Sequence, residues 1–170
     1  MIRNRKSVRG ISLLELMLSL AIIAVLVVTA GRYYTSARSA RQVNDAVSML
    51  TTVMTALDNY FWTYKTFKGA TSSSQDVSMT VLANQGLVPS DFTNATANPW
   101  GGNITVTSNN ATEAKITMSN ISESDCTNLK EIMQQRGLSG SCDSSGNYSA
   151  IYSSTSPGTA TDTTDTTGGK

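Results

Sequence analysis

The chain has 170 residues, which leaves room for one modest domain with appendages. Histidine is absent, which removes the commonest general base and metal ligand, and a formal net charge of +1 gives no reason to expect nucleic-acid binding. The charge is uneven, because four basic residues lie within the first nine positions whereas residues 11–170 carry a formal charge of −3. We therefore expect neither an enzyme nor a metal or other cofactor, and the basic start indicates an end that stays in the cytoplasm beside a membrane.

The first predicted element is an apolar run over residues 11–30, whose 20 residues suffice to cross a bilayer core of about 30 Å as a helix. One alternative is a secretory signal peptide cleaved after Ala30, and another is a plain membrane anchor. The run is longer than the roughly 7–15 apolar residues of a signal peptide. It also contains Glu15, and an acid inside a bilayer costs roughly 2.5–3.5 kcal/mol. Such a cost favours a segment that later meets a cationic partner.

The residues Arg9-Gly10-Ile11-Ser12-Leu13-Leu14-Glu15 resemble the processing site of type IV prepilins: a basic leader ending in Gly, a hydrophobic residue, and Glu at the fifth mature position. The resemblance implies that a prepilin peptidase removes residues 1–10 by cutting after Gly10, and that Ile11 becomes an N-methylated terminus. It also implies that Glu15 neutralises the terminal amine of a neighbouring subunit in a filament. Pairing two charges in apolar surroundings offsets the burial of each.

The next stretch is polar but periodic, and it predicts that the helix continues over residues 11–64, with 11–31 as its membrane-spanning or filament-core half. Seven apolar residues recur at spacings of 4 and 3, forming one stripe on a helix: Val43, Val47, Leu50, Met54, Leu57, Phe61 and Tyr64. Two helices hinged at Gly31, or a coiled-coil stalk, are alternatives that periodicity does not distinguish. The pilin resemblance implies a sheet laid over the amphipathic half.

Residues 65–154 are predicted to form a globular head. The predicted elements are a helix over 75–85 ended by Gly86, a turn-rich segment over 86–102, strands over 104–107 and 114–118 joined as a hairpin, a helix over about 123–136 capped by Ser122 and ended by Gly137, and a strand over 148–152. With the long N-terminal helix, this order is similar to the α+β fold of type IV pilins. The Gly-Leu-Val-Pro and Asn-Pro-Trp-Gly-Gly stretches resemble the type IVb subclass.

The two cysteines, Cys126 in the second head helix and Cys142 in the predicted loop after it, are able to staple a small core in an oxidising compartment. Two reduced thiols are the alternative, whereas the pilin resemblance implies a disulfide that encloses a recognition surface. Closing this loop should stabilise the fold by about 3 kcal/mol. Residues 155–170 are rich in Thr, Gly and Asp, and are predicted to be a disordered tail.

The resemblance implies a structural subunit of a type IV, IVb-like pilus that serves adhesion, aggregation or conjugation. Its expected partners are other copies of itself, the prepilin peptidase, the inner-membrane assembly machinery and, before assembly, the membrane. Its expected locations are the inner membrane as precursor and the cell exterior once it is polymerised. A type II secretion pseudopilin, and a membrane-anchored or secreted binding module, are the alternatives.

Overall fold

The structure is a computed structural model that describes residues 12–69 and 76–154. The chain divides into two compact units, Met1–Ala40 and Arg41–Lys170, and each is described by itself. The first described element is helix α1 (Leu13–Tyr64), 52 residues long, which contributes to both units. It continues through Gly31 without a break, so the structure has one helix here and not two. The α+β architecture predicted from the sequence is confirmed.

In the second unit, one face of α1 enters the core. Its buried residues are Val43, Ala46, Val47, Leu50, Val53, Ala56, Leu57 and Tyr60. Of the seven residues of the predicted stripe, Val43, Val47, Leu50 and Leu57 are buried and Met54 and Phe61 are half-buried against the core, whereas Tyr64 at its end is 50% exposed. The stripe of large apolar residues also omits Ala46 and Ala56, whose small side chains are fully buried on this face.

The head contains a four-stranded antiparallel sheet in the order β1-β2-β4-β3. Its strands are β1 (Ile104–Ser108), β2 (Glu113–Met118), β3 (Gly140–Cys142) and β4 (Tyr148–Ser153). The inward side chains alternate with outward ones, as the pleat requires, and Ile104, Val106, Ile116, Met118, Tyr148 and Tyr152 reach the core. The predicted hairpin and the predicted strand at 148–152 are confirmed. Strand β3 was not predicted, because its three residues contain no hydrophobic alternation.

Contacts from side chains of β4 and of the loop after α1 fix the second half of α1 against the sheet. Tyr152 on β4 donates a hydrogen bond from its hydroxyl to Asp58 Oδ1 on α1. Phe67 is fully buried and lies 6.1 Å from the Tyr152 ring and 5.2 Å from the Phe61 ring, measured between centroids. The sheet therefore covers the amphipathic half of the helix, as the pilin resemblance implied.

Two shorter helices complete the head, α2 (Met79–Asn84) and α3 (Glu123–Gln135), with one 3-10 turn at Ser90–Thr93. The prediction that α2 includes residues 76–78 was wrong, and the predicted first residue, Gln75, lies outside the described residues. Val77 donates its backbone N–H to the Phe67 carbonyl at 2.9 Å, and Ser78 forms a β-bridge with Thr107, so these two residues are not helical and Ser78 caps the helix that follows.

Helix α3 begins where it was predicted to begin. The Ser122 hydroxyl accepts a hydrogen bond from the Asp125 backbone N–H at 3.2 Å, which satisfies one of the unpaired donors of the first turn. Its end also follows the prediction, because Gly137 has a φ of 86°, a left-handed conformation that favours glycine. The predicted tail over 155–170 lies outside the described residues.

Candidate functional site: the apolar helix and the disulfide-bonded region

The first described unit exposes a continuous apolar surface. Every residue over 13–30 is exposed, and the large hydrophobic side chains there are between 50% and 77% accessible. Among the described residues, α1 is the single helix that is long and apolar enough to cross a membrane. A surface of this size is far beyond what a soluble monomer leaves uncovered, so it indicates a lipid or protein environment.

The few hydroxyl groups in this segment do not interrupt its apolar character. The Ser19 hydroxyl donates to the Leu16 carbonyl at 2.9 Å, and the Thr29 hydroxyl donates to the carbonyls of Val25 and Leu26, both at 3.0 Å. These hydrogen bonds satisfy the hydroxyl protons within the helix itself. Because an unsatisfied polar group in an apolar medium is costly, this arrangement suits a helix surrounded by lipid or by other helices.

Glu15 lies in the first turn of α1 and is the single ionisable side chain between Leu13 and Gly31. Its carboxylate is exposed and therefore accessible to a cation. An acid in the first turn of a helix is also stabilised by the positive end of the helix dipole. The predicted processing residues Gly10 and Ile11 lie outside the described residues, so the arrangement of these three residues stays a prediction.

The second predicted feature is the cysteine pair, and the structure joins Cys126 to Cys142 in a disulfide with a Cα–Cα distance of 6.1 Å. Cys126 is buried in the first half of α3, whereas Cys142 is half-buried. The prediction that Cys142 lies in a loop was wrong, since it ends strand β3 and pairs with Tyr148 on β4. The disulfide therefore ties α3 to the edge strand of the sheet.

The turn between β3 and β4 is held by Asp143, directly after the second cysteine. The Asp143 carboxylate accepts hydrogen bonds from the side-chain amide and the backbone N–H of Asn147, both at 2.8 Å, and from the Ser145 backbone N–H at 2.9 Å. Hydrogen bonds from Asn147, together with that from Ser145, hold the pKa of Asp143 below its ordinary value. The turn beside the disulfide is thus an ordered, anionic surface.

The Asn-Pro-Trp-Gly-Gly segment packs against the start of α3. Trp100 donates its indole N–H to Asp125 Oδ2 at 2.9 Å, and Asp125 is buried beside Cys126. Asn98 is buried at the centre of the turn: its amide donates to the carbonyls of Asn103 and Ser119, and its carbonyl oxygen accepts two backbone N–H groups. The sequence indicated a turn here but not its partner, since nothing in the local pattern connects residue 100 with residue 125.

The part of the chain that the structure describes contains no group of three or more His, Cys, Asp or Glu residues able to hold a metal ion. The functional features described above are two surfaces, the apolar half of α1 and the disulfide-bonded region of the head. Both suit association more directly than they suit chemistry on a small molecule.

Comparison with known proteins gives two family matches. The family described as PilS N terminal matches residues 41–169, which is more than half of the chain. The prokaryotic N-terminal methylation motif matches residues 5–31, which include Gly10, Ile11 and Glu15.

The similar curated proteins are the major structural subunits of bundle-forming pilus from Escherichia coli O127:H6 (strain E2348/69 / EPEC) and from Escherichia coli O111:H-. Each is 25% identical over 135 residues, which cover 75% of this chain and 66% of the relative. The match thus spans just under two thirds of the length of these relatives. No solved structure matches the chain significantly.

The family match over the head, the methylation motif at the N-terminus and the long helix followed by a small antiparallel sheet agree with one another. The chain belongs to the type IV pilins, in the family described as PilS N terminal.

Proposed function

We propose that this chain is the structural subunit of a type IV pilus of the IVb subclass, which polymerises through residues 11–31 into an extracellular filament. The observation that carries the proposal is the exposed apolar half of α1, with Glu15 in its first turn, inside the segment that matches the methylation motif. The similarity to major subunits of bundle-forming pilus supports the subclass.

The apolar half of the helix needs two environments in succession. Before assembly, a bilayer covers residues 11–31, and the basic leader 1–10 keeps its end in the cytoplasm. After prepilin peptidase cuts between Gly10 and Ile11, the inner-membrane assembly machinery extracts the subunit. Neighbouring helices then replace lipid around the apolar side chains. Exposing these side chains to water instead would cost roughly 25 cal/mol per Å² of apolar surface.

In this mechanism, Glu15 sets the position of each subunit's helix relative to its neighbour's. The new amino terminus at Ile11 is a cation in apolar surroundings, and the carboxylate of a neighbouring subunit offsets its burial. The head, residues 65–154 with the second half of α1, remains outside the membrane, where an oxidising environment preserves the disulfide. In the filament the heads form the outer surface and serve adhesion, aggregation or conjugation.

The pairing role of Glu15 is tested with Glu15→Ala in cells that express the pilus machinery. We expect normal removal of the leader and a normal membrane pool, but loss of surface filaments, because the buried amine then lacks its partner. Filaments are counted by electron microscopy and by shearing. Ser19→Ala is the matched control, since the Ser19 hydroxyl bonds only within its own helix. Normal filaments from Glu15→Ala would remove the pairing from the mechanism.

Processing is tested separately by intact mass and N-terminal sequencing of protein from the native membrane and surface fractions. The proposal expects an N-methylated Ile11. A chain that begins at Gly31 would instead indicate a cleaved secretory signal, and a chain that begins at Met1 would indicate a plain membrane anchor.

A further inference from the structure

A polar groove of about 410 Å³ runs along the second half of α1 beside the end of α3. We call it the arginine groove; beside Val47, its lining residues are all polar: Asn44, Ser48, Thr51, Thr52, Thr55 and Arg136. The three threonine hydroxyls donate to backbone carbonyls four residues earlier, at 2.8 to 3.0 Å. Because these hydroxyl protons are already used, the threonine oxygens can only accept hydrogen bonds from a partner. The groove therefore favours a partner that brings hydroxyl or N–H donors for the threonines and a negative charge for Arg136.

Arg136 is the single charged residue of this groove, and most of its hydrogen-bonding capacity is unused. Among the described residues its guanidinium makes one long hydrogen bond, 3.5 Å from the Thr51 hydroxyl oxygen. The one ion pair in the described part of the chain joins Arg41 to Asp45 instead. A guanidinium with five donors and one long bond is prepared to bind a carboxylate with two parallel hydrogen bonds.

The complementary surface lies at the other end of α3. A groove of about 610 Å³ beside the disulfide has an edge, here called the acidic edge, formed by Glu123, Asp143, Ser144 and Ser145. The Asp143 carboxylate is used within its own turn, whereas the Glu123 carboxylate is exposed and has no hydrogen bond or ion pair within the described ranges. The two serine hydroxyls are exposed donors, matching the acceptors of the arginine groove.

The two surfaces cannot meet within one molecule. Glu123 begins α3 and Arg136 follows its last residue, so the helix separates them by roughly 20 Å at 1.5 Å per residue. Each copy of the chain therefore presents the Glu123 carboxylate and the Arg136 guanidinium, neither of which forms an ion pair within the described ranges, at opposite ends of the same helix. A contact between two different patches is heterologous, and it propagates into an open helical assembly when the rotation does not close a ring.

We infer that, in the filament, the acidic edge of one subunit occupies the arginine groove of a neighbouring subunit, with the Glu123 carboxylate bound to the Arg136 guanidinium. This inference rests on the proposed function and adds the contact that orients one head on the next. The competing explanation is that these charges only complement the dipole of α3, which would affect the stability of the head but not its assembly.

Charge exchange distinguishes the two explanations in cells that assemble the pilus. We expect Arg136→Glu and Glu123→Arg each to lower the yield of sheared filaments about tenfold or more, because each leaves like charges facing each other. The double variant restores the pair in reverse and should return the yield to within about threefold of wild type. Lys130→Glu is the control, since it makes the same charge change at an exposed position on the same helix.

Folding of each variant is checked independently by the amount of processed subunit in the membrane and by resistance of the cysteines to thiol labelling. Loss of filaments with no recovery in the double variant would overturn the pairing, and so would normal filaments from both single variants. If wild-type cells made processed subunit but no filaments, the proposed function would fail, and the inference with it.

A chemical measurement gives a second, independent readout. Arg136→Lys keeps the charge and introduces an amine that a zero-length carbodiimide reagent couples to carboxylates. In isolated filaments of this variant we expect a cross-linked peptide that joins position 136 to Glu123. Because roughly 20 Å separates the two within one chain, such a link has to connect neighbouring subunits. Links from position 136 to other carboxylates without any to Glu123 would overturn the proposed contact.

Discussion

The Tyr148 ring on β4 packs directly against the backbone of Gly140 on β3. A Cβ atom on Gly140 would lie 2.4 Å from Tyr148 Cζ, which is closer than real atoms approach. The Tyr148 ring is fully buried, its hydroxyl donates to the Leu138 carbonyl at 3.4 Å, and burial raises the pKa of this phenol. The ring therefore has little room to move away.

Gly140→Ala should lower the free energy of unfolding by about 1–3 kcal/mol, because an added methyl group overpacks a filled core. The measurement is denaturant unfolding of the purified protein in detergent, followed by the near-ultraviolet signal of the aromatic residues. Ser141→Ala, at an exposed position on the same strand, is the control and should change stability by less than about 0.5 kcal/mol. Equal stability of the two variants would mean that β3 shifts to accommodate the methyl group.

At the scale of the element, α1 owes its attachment to the face that the sheet covers, which differs from the stripe of large apolar residues. Leu57 is fully buried, whereas Tyr64, which continues the same stripe, is half-exposed, contacts the Tyr60 ring and accepts a hydrogen bond from the Gln85 side chain at its hydroxyl. Leu57→Ala should lower the free energy of unfolding by about 2–5 kcal/mol, because it leaves a cavity. Tyr64→Ala should cost about 1 kcal/mol or less. Chemical denaturation compares them directly, and equal losses would contradict the observed face.

The turn between β3 and β4 makes the stability of the head depend on pH. The folded state lowers the pKa of Asp143 through the hydrogen bonds from Asn147 and Ser145. Folding therefore favours the carboxylate, and this stabilisation is present above the pKa of the unfolded chain, about 3.9, and is lost as the pH falls through the lower folded value.

Asp143→Asn should accordingly be less stable than wild type near neutral pH, and the difference should shrink as the pH falls below about 4. Denaturation midpoints between pH 7 and pH 2 provide the measurement. Asp91→Asn serves as the control, because the described part of the chain provides no hydrogen bond to the Asp91 carboxylate. A difference that stays constant across this range would mean that the turn does not depend on the charge of residue 143.

At the scale of the whole molecule, the disulfide joins a helix of the head to the edge strand of its sheet. It links α3 to β3 across a sequence separation of 16 residues. Replacing both cysteines, as in Cys126→Ser with Cys142→Ser, should lower the free energy of unfolding by about 3 kcal/mol, chiefly because the unfolded chain regains freedom. Thermal and denaturant unfolding test this, and wild type treated with reductant should match the double variant. A double variant as stable as oxidised wild type would show that packing alone holds α3.

The two units of the chain differ in how their apolar residues are covered. The second unit buries its apolar residues in one core formed by α1, the sheet and the shorter helices. In the first unit, the described apolar side chains over residues 13–28 remain exposed. The stability of the head is thus a property of one molecule, whereas the apolar half of α1 requires lipid or other subunits, which is the physical basis of the proposed polymerisation.

Local signals in the sequence were sufficient for the long apolar helix with its acid at residue 15, the hairpin, and both ends of α3, because periodicity, turn residues and caps are encoded over a few neighbouring positions. They were not sufficient for β3, for the start of α2, or for the buried face of α1. Those depend on partners far along the chain: β3 exists because β4 pairs with it, and residues 76–78 are extended because Phe67 and Thr107 bond to them. The opposed charges of Glu123 and Arg136 are visible in the sequence, but only the tertiary structure places each beside a groove and, among the described residues, outside any ion pair, because grooves form where separate elements meet.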